Sequence, residues 1–300
     1  MPFGDEAIAM ATRLILAGQP VAVPTETVYG LAADATSAEA VARIYAAKGR
    51  PSFNPLIVHV PDLGAAEALA VFDDTARDLA KLHWPGPLTL VLPKRDEALL
   101  PSIVTAGLPT VAIRVPGHPA MQALLKACGQ PLAAPSANAS GTISPTRAEH
   151  VLKSFDGMIA LVIDGGFTMV GLESTIIAVN GATLRLLRPG PIDLGLELSV
   201  SGPVQAPGML DRHYAPSKPL RLDASIAGPA EFMIGFGPVT GDATLSASGD
   251  LVEAAAHLFD LLHQADAAPV SAIAVAPIPA IGLGIAIRDR LRRAAYQETP

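Results

Sequence analysis

Two cationic residues at the end of a predicted helix form a pattern that fits the binding of an anion. The stretch KGRPSFNPLIVHV places Lys48 and Arg50 two residues apart, just before an apolar segment. Arg50 could bind phosphate oxygens through two N–H groups at once, and Lys48 would act as a point charge. In isolation the stretch is better explained as a helix C-terminus with two solvated cations, which the helix dipole favours. Pro51 and Pro55 count against that explanation, because they stiffen the loop that presents Asn54 and both cations.

Arg114 and His59 lie inside apolar segments, where a polar side chain needs an explanation. The segment PTVAIRVP predicts that Arg114 is buried in a strand. Because burial of an unpaired charge is costly, Arg114 requires either a structural carboxylate or a bound anionic substrate, and the residues alone leave both open. In LIVHV, strand alternation places His59 on one face with Ile57 and opposite Val58. A lone strand histidine is more often an ordinary core or surface residue than a ligand.

Small polar residues gather next to several other apolar segments. In VAVPTETVYGLAADA a predicted strand ends at Pro24, before hydroxyls and a carboxylate. Open α/β sheets bind ligands at such strand ends, whereas a polar turn would use the threonines for its own backbone. The loop in PLAAPSANASGTISPTRAEHV resembles a phosphate cradle, because small side chains expose backbone N–H groups before a predicted helix. The polar and charged residues in such positions are Thr25, Glu26, Thr27, Tyr29, Ser136, Asn138, Ser140, Ser144, Asp164, Glu173, Ser174, Arg185 and Arg188.

The elements that must position these residues alternate between short apolar segments and helical patterns, which indicates an α/β fold. Helices are predicted at residues 5–17, 37–47, 74–83, 119–128 and 145–155, with Ser37 capping the second and Ser144 the last. Strands are predicted in VAVPT, LIVHV, LTLVLP, TVAIRVP, PLAAP, MIALVI, STIIAV and TLRLLRP. Polar residues at the ends of these strands predict a cleft that binds an anion.

A change in composition after residue 192 predicts a second unit. Residues 201–218 are rich in Gly, Pro and Ser and are interpreted as a linker. Beyond them LRLDA, EFMIGFG and SAIAVA predict strands, with helices at residues 250–264 and in IRDRLRRAAYQ. This small α/β unit shows no obvious chemistry. The predicted organisation is a catalytic domain at 1–200, a linker or lid at 201–218, and a small C-terminal domain at 219–300.

Composition restricts the classes of partner. The formal net charge of -7 argues against a broad basic surface for nucleic acid or for an anionic membrane, so an anion must meet a local cluster of cations. A single cysteine, Cys128, excludes an internal disulfide, and no histidine or cysteine spacing suggests a metal site. The N-terminal segment carries Asp5 and Glu6 where an export signal would be basic, and prolines and glycines break the longest uncharged segment, 269–287. The sequence therefore predicts a cytoplasmic protein without a membrane span.

The ordered set of motifs resembles the threonylcarbamoyl-AMP synthases, which combine a YrdC-like catalytic domain with a small C-terminal domain. The motifs are PTETVYGL, KGRPSFNPL, WPGPLTLVL, VAIRVPGHP, APSANASG, GLESTIIAV, LRPGPI and PGMLDRHYAP, and they extend across nearly the whole chain. The resemblance implies a YrdC-like twisted open sheet whose helices form a concave cleft, followed by a small Rossmann-like α/β C-terminal domain. It also implies that L-threonine, bicarbonate and ATP are joined to L-threonylcarbamoyladenylate, with release of pyrophosphate, for threonylcarbamoyladenosine in tRNA.

Site residues follow from the resemblance, motif by motif. The residues implied to contact threonine are Thr27, His59, Arg114, Ala134 and Ser174. The residues implied to hold the nucleotide are Lys48, Arg50, Asn54, Thr110, Ser136, Asn138, Ser144, Arg188 and Tyr214. Within these sets Arg114 would pair the threonine carboxylate, Lys48 and Arg50 would be catalytic, and Tyr214 of the linker would close over the ligand. Ala134 stands where many relatives have a hydroxyl residue, so a contact there would use its backbone.

The resemblance implies few further partners. Mg²⁺ would accompany ATP and bridge its phosphates through water, without a dedicated metal site in the protein. A downstream threonylcarbamoyl-transferase complex acting on tRNA would receive the product, and neither a membrane nor stable nucleic-acid binding is expected. One alternative is an RNA-binding YrdC-like module without synthase activity, which the net charge opposes. Another is a carbamoyl-transferring relative from hydrogenase maturation, whose zinc-finger cysteines are missing here.

Overall fold

Two β-sheets and the helices around them make up the chain in a computed structural model, which describes residues 1–199, 205–208 and 213–296. The helices are α1 (Asp5–Leu16), α2 (Ala38–Lys48), α3 (Leu63–Glu67), α4 (Asp74–His83), α5 (Ser102–Thr105), α6 (Pro119–Cys128), α7 (Ala148–Phe155), α8 (Leu251–Ala267) and α9 (Leu283–Ala294). The strands are β1 (Val21–Pro24), β2 (Tyr29–Asp34), β3 (Ile57–His59), β4 (Leu88–Pro93), β5 (Thr110–Arg114), β6 (Leu132–Ala133), β7 (Thr175–Asn180), β8 (Thr183–Arg188), β9 (Leu220–Arg221), β10 (Glu231–Gly235), β11 (Ala243–Thr244) and β12 (Ala272–Val275). We call α1–α7 with β1–β8 the larger unit, and α8, α9 and β9–β12 the smaller unit.

The larger unit is built on a mixed sheet with helices on both faces. Its strand order is β1-β2-β6-β3-β5-β4-β7-β8, in which β3 with β5 and β4 with β7 are parallel pairs and the other neighbours are antiparallel. Successive residues of β1 divide between two apolar clusters, as strand alternation requires. Ala22 joins the cluster that contains α2, whereas Val21 and Val23 join the cluster of α1 and α6. Burial on both faces explains why the strands are apolar throughout.

The smaller unit carries a parallel sheet. Its order is β11-β10-β12-β9, and every neighbouring pair is parallel. Parallel neighbours need a crossover, and α8 lies on the crossover from β10 to β12. The helix begins where the Asp250 carboxylate accepts the N–H groups of Val252 and Glu253, each at 2.8 Å. Together the two sheets confirm the predicted α/β class, with an open sheet in the larger unit and a small Rossmann-like unit after it.

The two units share an apolar core near the strand ends of the larger sheet. The cluster that contains α8 and α9 also includes Val28, Ile143 and Leu172 of the larger unit. Gly171 lies so close to α8 that a β-carbon there would approach the carbonyl oxygen of Ala256 to 2.4 Å. The smaller unit is therefore packed directly against the loops that carry the predicted site residues.

Most predicted helices are present, but one begins later than expected. Residues 145–147 do not form the first turn of α7, which begins at Ala148 after Arg147 and has no side-chain cap. The backbone before α7 is hydrogen-bonded to the larger sheet instead, since the N–H of Tyr29 donates to the carbonyl of Pro145 at 2.9 Å. The prediction that Ser144 caps this helix is wrong for the same reason. A tertiary hydrogen bond has overridden a local helix-start signal.

Two strand predictions also differ from the structure. The segment MIALVI is not a strand and makes only a single bridge, between Ala22 and Val162. Conversely, β2 was missed, because Gly30 and the alanines of YGLAAD have low β-propensity. Burial against both faces of the sheet, rather than intrinsic propensity, stabilises that strand.

The predicted domain boundary cannot be compared with the described chain. Several positions lie outside the described residues: the step from residue 200 to 201, residues 201–204 and 209–212 of the predicted linker, and residues 297–300. The larger sheet ends with β8 and the smaller begins with β9, and the division at 1–200, 201–218 and 219–300 stays a prediction. Within the described ranges, no helix combines the length and the apolar character that crossing a membrane requires.

We expect Gly171→Ala to destabilise the chain more than Gly157→Ala. Both glycines have positive φ angles, 70° and 72°, so both substitutions carry a similar backbone penalty. A β-carbon at Gly157 meets nothing within 4 Å, whereas one at Gly171 meets the backbone of α8. In urea titrations the free energy of unfolding should fall by about 1 to 2 kcal/mol for Gly157→Ala and by at least about 1 kcal/mol more for Gly171→Ala. Equal losses would contradict the close packing of α8 on this loop.

Candidate anion-binding site

A small cavity lies at the ends of several strands of the larger sheet. Its volume is about 40 Å³. Its wall is made by residues in or next to β1, β2, β3, β5, β6, β7 and β8, by the loop after α2 and by the linker. These residues are Thr25, Thr27, Val28, Gly30, Arg50, Ile57, His59, Arg114, Ala134, Pro135, Ser136, Glu173, Ser174, Arg188, Pro207 and His213. The fold thus brings together segments that are distant in sequence but were each singled out by their polar residues.

Lys48 and Arg50 are buried beside this cavity. Lys48 is the last residue of α2, which ends at Gly49 in a left-handed conformation, so the predicted helix C-terminus is correct. Exposed fractions of 4% and 9% show that the two cations are not solvated. Lys48 Nζ donates to the carbonyls of Ser136 and Asn138, at 2.6 and 2.5 Å. Burial and then the charge of Arg50 lower the pKa of Lys48 well below its ordinary value.

The guanidinium of Arg50 organises the loop after α2. Its Nε donates to the carbonyl of Asn54 at 3.0 Å, and its Nη2 donates to Asn54 Oδ1 at 2.7 Å and to the carbonyl of Pro55 at 2.8 Å. The N–H of Asn54 in turn donates to the carbonyl of Pro51 at 3.1 Å, which closes the loop. Burial lowers the pKa of Arg50 to about 10. Asn54 therefore acts on the cavity through Arg50.

Arg188 is a third buried cation, at the end of β8. Its Nε donates to the carbonyl of Ser174 and its Nη2 to Ser174 Oγ, both at 3.0 Å. Ser174 Oγ also lies 2.7 Å from Thr89 Oγ1. Burial lowers the pKa of Arg188. The last strand of the sheet thus adds positive charge to the wall near Ser174.

Lys48, Arg50 and Arg188 have only neutral hydrogen-bond partners in the described part of the chain. None of the three has a carboxylate within ion-pair distance among those residues. Buried charge is costly when no opposite charge compensates it. The three cations together fit a ligand with several negative charges, such as a polyphosphate.

Arg114, on another part of the wall, is paired with a carboxylate. Its Nη2 lies 2.6 Å from Glu26 Oε1, its Nη1 donates to Thr27 Oγ1 at 2.9 Å, and its Nε donates to the carbonyl of Gly86 at 3.0 Å. Burial alone would raise the pKa of Glu26, but the charge of Arg114 beside it contributes to lowering that pKa. The structural carboxylate that the sequence left open is therefore Glu26, although Arg114 also borders the cavity.

His59 lies beside Arg114, in register on the neighbouring parallel strand. His59 and Ile57 border the cavity while Val58 belongs to the core behind it, which confirms the predicted alternation. Its Nδ1 is buried and has no hydrogen-bond partner among the described residues. Burial and then the charge of Arg114 lower the pKa of His59 to about 3, so the ring is neutral near neutral pH. A neutral imidazole with an unpaired nitrogen can donate to or accept from a ligand.

The two threonines after β1 have different roles. Thr25 Oγ1 donates to the carbonyl of Val28 at 2.7 Å and accepts the N–H groups of Thr27 and Val28, each at 3.2 Å. Thr25 therefore forms the polar turn that was the alternative to a ligand role. Thr27 instead accepts a hydrogen bond from Arg114 at the cavity wall.

The loop after β6 is held mainly by its own hydrogen bonds. The side-chain amide of Asn138 donates to the carbonyls of Ala139 and Thr142, at 3.1 and 2.8 Å. Ser136 borders the cavity. Ser144 is buried and donates its hydroxyl to Glu173 Oε1. Part of this loop therefore supports the wall from behind, and only part of it faces the cavity.

Arg290 was missed by sequence reasoning, which found no chemistry in the smaller unit. It is fully buried in α9, and its Nε donates to Glu173 Oε2 at 2.8 Å. Its other nitrogens donate to Asp289 Oδ2 and to the carbonyl of Pro189, both at 2.9 Å. The segment IRDRLRRAAYQ contains several arginines with no local feature that distinguishes this one. Only packing between the units identifies it.

Pro207 and His213 of the predicted linker border the cavity. Tyr214 is fully buried, with its ring centroid 5.6 Å from that of Phe259 and 5.2 Å from Arg290 Cζ. Its hydroxyl has no hydrogen-bond partner among the described residues. A β-carbon on Gly208 would lie 2.8 Å from both Arg188 Cδ and Tyr214 Oη, so a glycine is needed for this approach. The linker is thus in direct contact with a cationic part of the wall.

The structure brings most of the predicted site residues together. Those that border the cavity are Thr27, Arg50, His59, Arg114, Ala134, Ser136, Ser174 and Arg188. Those that lie behind or above it through the contacts described are Lys48, Asn54, Asn138, Ser144 and Tyr214. Thr110 is the exception, since it begins β5 and lies about 13 Å along the strand from Arg114 at about 3.3 Å per residue. Its assignment to the nucleotide stays a prediction, as do the other individual roles.

The fold and the cavity define an α/β protein with a buried cationic cleft at its strand ends, covered by a linker and a second α/β unit. The family model described as Telomere recombination, for Sua5, YciO and YrdC, matches residues 13–190. The model described as Threonylcarbamoyl-AMP synthase, C-terminal domain, matches residues 182–296. The chain belongs to the Sua5/YciO/YrdC family, in its threonylcarbamoyl-AMP synthase branch, and it is an enzyme.

The chain is similar to known proteins along nearly its full length. Threonylcarbamoyl-AMP synthase from Bacillus subtilis (strain 168) is 42% identical, over 97% of this chain and 93% of that protein. The protein of that name from Pyrococcus abyssi (strain GE5 / Orsay) is 40% identical, over 96% and 94%. The crystal structure of P. abyssi Sua5 complexed with L-threonine superposes with a TM-score of 0.90 at 38% identity, covering 98% of this chain and 96% of that one. The predicted family and fold are confirmed.

A stacked histidine pair joins the two units behind Ser144. The rings of His150 in α7 and His263 in α8 are 3.8 Å apart between centroids, and His263 Nε2 lies 3.2 Å from the carbonyl of Ser144. Asp260 lies 3.5 Å from His150, and it also pairs with Arg147. Burial and then the second histidine lower the pKa of His150 to about 3, and burial and then Lys153 lower that of His263 to about 4. Both rings are therefore neutral near neutral pH.

We expect acid to destabilise the chain through this pair. Below the ordinary histidine pKa of about 6.5 these histidines are protonated in the unfolded chain but stay neutral in the folded chain. The free energy of unfolding therefore has its full value above that pH and falls as the pH decreases. At about pH 5.5 the loss is up to about 1.4 kcal/mol per histidine. His263→Gln removes one titrating ring, and urea unfolding at two pH values should show a pH dependence smaller by about 1 kcal/mol.

The control is His257→Gln, which lies on the same helix but outside the stacked pair. That variant should retain the pH dependence of the unchanged chain. If both variants show the same pH dependence, the pair is not the source of the acid sensitivity.

Proposed function

We propose that this enzyme joins L-threonine, bicarbonate and ATP to form L-threonylcarbamoyladenylate and pyrophosphate, for threonylcarbamoyladenosine in tRNA. The observation that carries the proposal is the group of buried cations Lys48, Arg50 and Arg188, which have no carboxylate within ion-pair distance among the described residues. A triphosphate supplies the several negative charges that such a group requires. The names of the relatives and the threonine complex of P. abyssi Sua5 support the same reaction.

The threonine side of the cavity is the wall around Arg114. A guanidinium has five N–H donors, so Arg114 can pair a threonine carboxylate while it keeps its contacts with Glu26 and Thr27. His59 and Ser174 border the same cavity and offer further polar atoms. Ala134 and its backbone complete the set predicted for threonine.

The reaction needs no nucleophile from the protein. The neutral amine of threonine reacts with carbon dioxide to give a carbamate and a proton, or with bicarbonate to give a carbamate and water. A carbamate oxygen then attacks the α-phosphorus of ATP, and the bond from that phosphorus to the bridging oxygen breaks as pyrophosphate leaves. Holding two anions in line and stabilising the phosphate charge is the main requirement, and Lys48, Arg50 and Arg188 provide that positive charge.

Magnesium would enter with ATP as part of the substrate. The carboxylate of Glu173 borders the cavity and that of Glu26 lies beside it. Both are already ion-paired, Glu26 with Arg114 and Glu173 with Arg290. The residues described here contain no group of three or more His, Cys, Asp or Glu able to hold a metal ion. Phosphate oxygens and water would therefore be the main ligands of the ion.

Entry of ATP requires movement of the linker. The cavity of about 40 Å³ holds only a few water molecules. A neighbouring cavity of about 600 Å³ shares His213 with it and is also lined by Gly49, Ser140 and Ala215. Displacement of the segment with His213 and Tyr214 would join the two spaces into one of the size that a nucleotide needs. This is the lid role predicted for Tyr214.

The alternative of an RNA-binding module has less support. The cations of the site are buried, so they are not a surface that a nucleic-acid backbone could follow. The tRNA enters our proposal only through a downstream transferase complex that receives the adenylate. The cytoplasm stays the predicted location of the enzyme.

The function is tested by incubating the purified chain with labelled bicarbonate, L-threonine and MgATP. We expect labelled threonylcarbamoyl-AMP and one equivalent of pyrophosphate per product formed, with each of the three substrates required. Pyrophosphate release that is independent of threonine or of bicarbonate would contradict the proposed reaction. Salt-dependent tRNA binding without such turnover would favour the RNA-binding alternative.

We expect Arg50→Ala to reduce kcat/KM for pyrophosphate release. Loss of one preorganised donor to the phosphates should cost on the order of 2 to 4 kcal/mol of transition-state stabilisation, which is about 30-fold to 1000-fold. The matched control is Arg43→Ala, because Arg43 lies on α2 and contacts Gly18 and Glu39 away from the cavity. Unchanged kinetics in Arg50→Ala would refute its assignment to the nucleotide.

A further inference from the structure

Arg290 connects three segments around the proposed nucleotide site, although it belongs to the smaller unit. Its Nε donates at 2.8 Å to Glu173, which immediately precedes Ser174 and β7. Its Nη2 donates at 2.9 Å to the carbonyl of Pro189, the residue after Arg188. Its Cζ lies 5.2 Å from the ring centroid of Tyr214 in the linker. One side chain of α9 therefore contacts both strand ends at this wall and the segment that covers it.

Glu173 explains why a cation is needed there. Its side chain borders the cavity, and the hydroxyl of Ser144 donates to Oε1. A carboxylate with uncompensated charge at this wall would repel the phosphates that Arg188 is proposed to bind. Arg290 pairs with Oε2, so it compensates the charge and leaves Oε1 to hold Ser144.

Docking of the two units does not by itself account for this ion pair. A buried interface is stabilised as well or better by apolar side chains of similar volume. The interface here is apolar where Val28, Ile143 and Leu172 meet the smaller unit, and the ion pair of Arg147 with Asp260, which also joins the units, is partly exposed. The buried pair of Glu173 and Arg290 stands where the interface reaches the cavity, which ties it to the charge balance of the site.

We propose that Arg290 is a positioning residue of the nucleotide site, supplied by the smaller unit, which neutralises Glu173 and thereby removes a negative charge that would repel the phosphates from this wall. The inference rests on the proposed function and identifies the nucleotide as the ligand that depends on α9. Affinity for MgATP then requires Arg290, whereas affinity for threonine at the wall of Arg114 does not. The smaller unit is a part of the nucleotide site as well as its cover.

The test uses the full chain and measures MgATP binding by calorimetry without threonine or bicarbonate, followed by KM for each substrate. Arg290→Met removes the charge, Arg290→Lys retains it, and Glu173→Gln removes the opposing charge while keeping an acceptor for Ser144. The double variant Glu173→Gln with Arg290→Met restores neutrality. The control is Arg288→Met, because Arg288 lies on the same helix and contacts the carbonyl of Ile278 instead.

We expect Arg290→Met to weaken MgATP binding at least about tenfold and to raise KM for ATP to a similar extent, with KM for threonine within about twofold. Arg290→Lys should lose less of the affinity for MgATP than Arg290→Met does. Glu173→Gln alone should not weaken MgATP binding, and the double variant should recover to within about threefold of the unchanged chain, as a charge-compensation role requires. The control should stay within about twofold.

Other results would overturn the role of Arg290. One such result is that Arg290→Met raises KM for ATP and KM for threonine by the same factor. Another is that the double variant binds MgATP as weakly as Arg290→Met does. If Arg290→Met does not unfold cooperatively on heating, Arg290→Lys and the double variant decide by the same criteria. An unchanged chain that binds no MgATP would overturn the proposed function, whereas equal MgATP binding by the unchanged chain and Arg290→Met overturns only this inference.

Discussion

The structure depends on burying positive charge without an equal charge of opposite sign. Lys48, Arg50 and Arg188 are held by carbonyls, an amide oxygen and a hydroxyl, whose dipoles stabilise a cation but do not cancel its charge. Carboxylates in those places would remove the potential that attracts an anion. The proposed anionic substrate is compatible with an acidic chain, because the buried cations at one edge of one sheet set the sign of the local field.

The charges on the walls of the cavity are compensated to different degrees, and the difference fits the two anions of unequal charge in the proposed reaction. Arg114 already has Glu26 as a partner, so it can accept only a weakly charged group such as a single carboxylate. Arg50 has no such partner among the described residues and suits a group with several negative charges. Both walls of the cavity thus carry an arginine, and they differ in whether a carboxylate is paired with it.

How much the sequence could predict depends on the distance over which each feature is determined. The end of α2, the burial of Arg114 and the face of His59 follow from local pattern, and each is found as predicted. The start of α7 was misplaced because a backbone hydrogen bond from a remote strand competes with the local signal. The pair of Glu173 and Arg290 spans 117 residues and two units, so no spacing in the sequence could indicate it.

The different contacts of Arg290 bear on how the linker can open. The ion pair with Glu173 is buried and directional, so breaking it would leave a carboxylate exposed to the cavity without compensation. Tyr214 meets the same guanidinium with its ring face, and its hydroxyl has no hydrogen-bond partner among the described residues. Such a contact contributes on the order of 1 kcal/mol and requires no exact orientation. In the proposed function, the contact with Arg290 would therefore not hold the linker in place, and α9 would keep the charge balance of the wall when the linker moves.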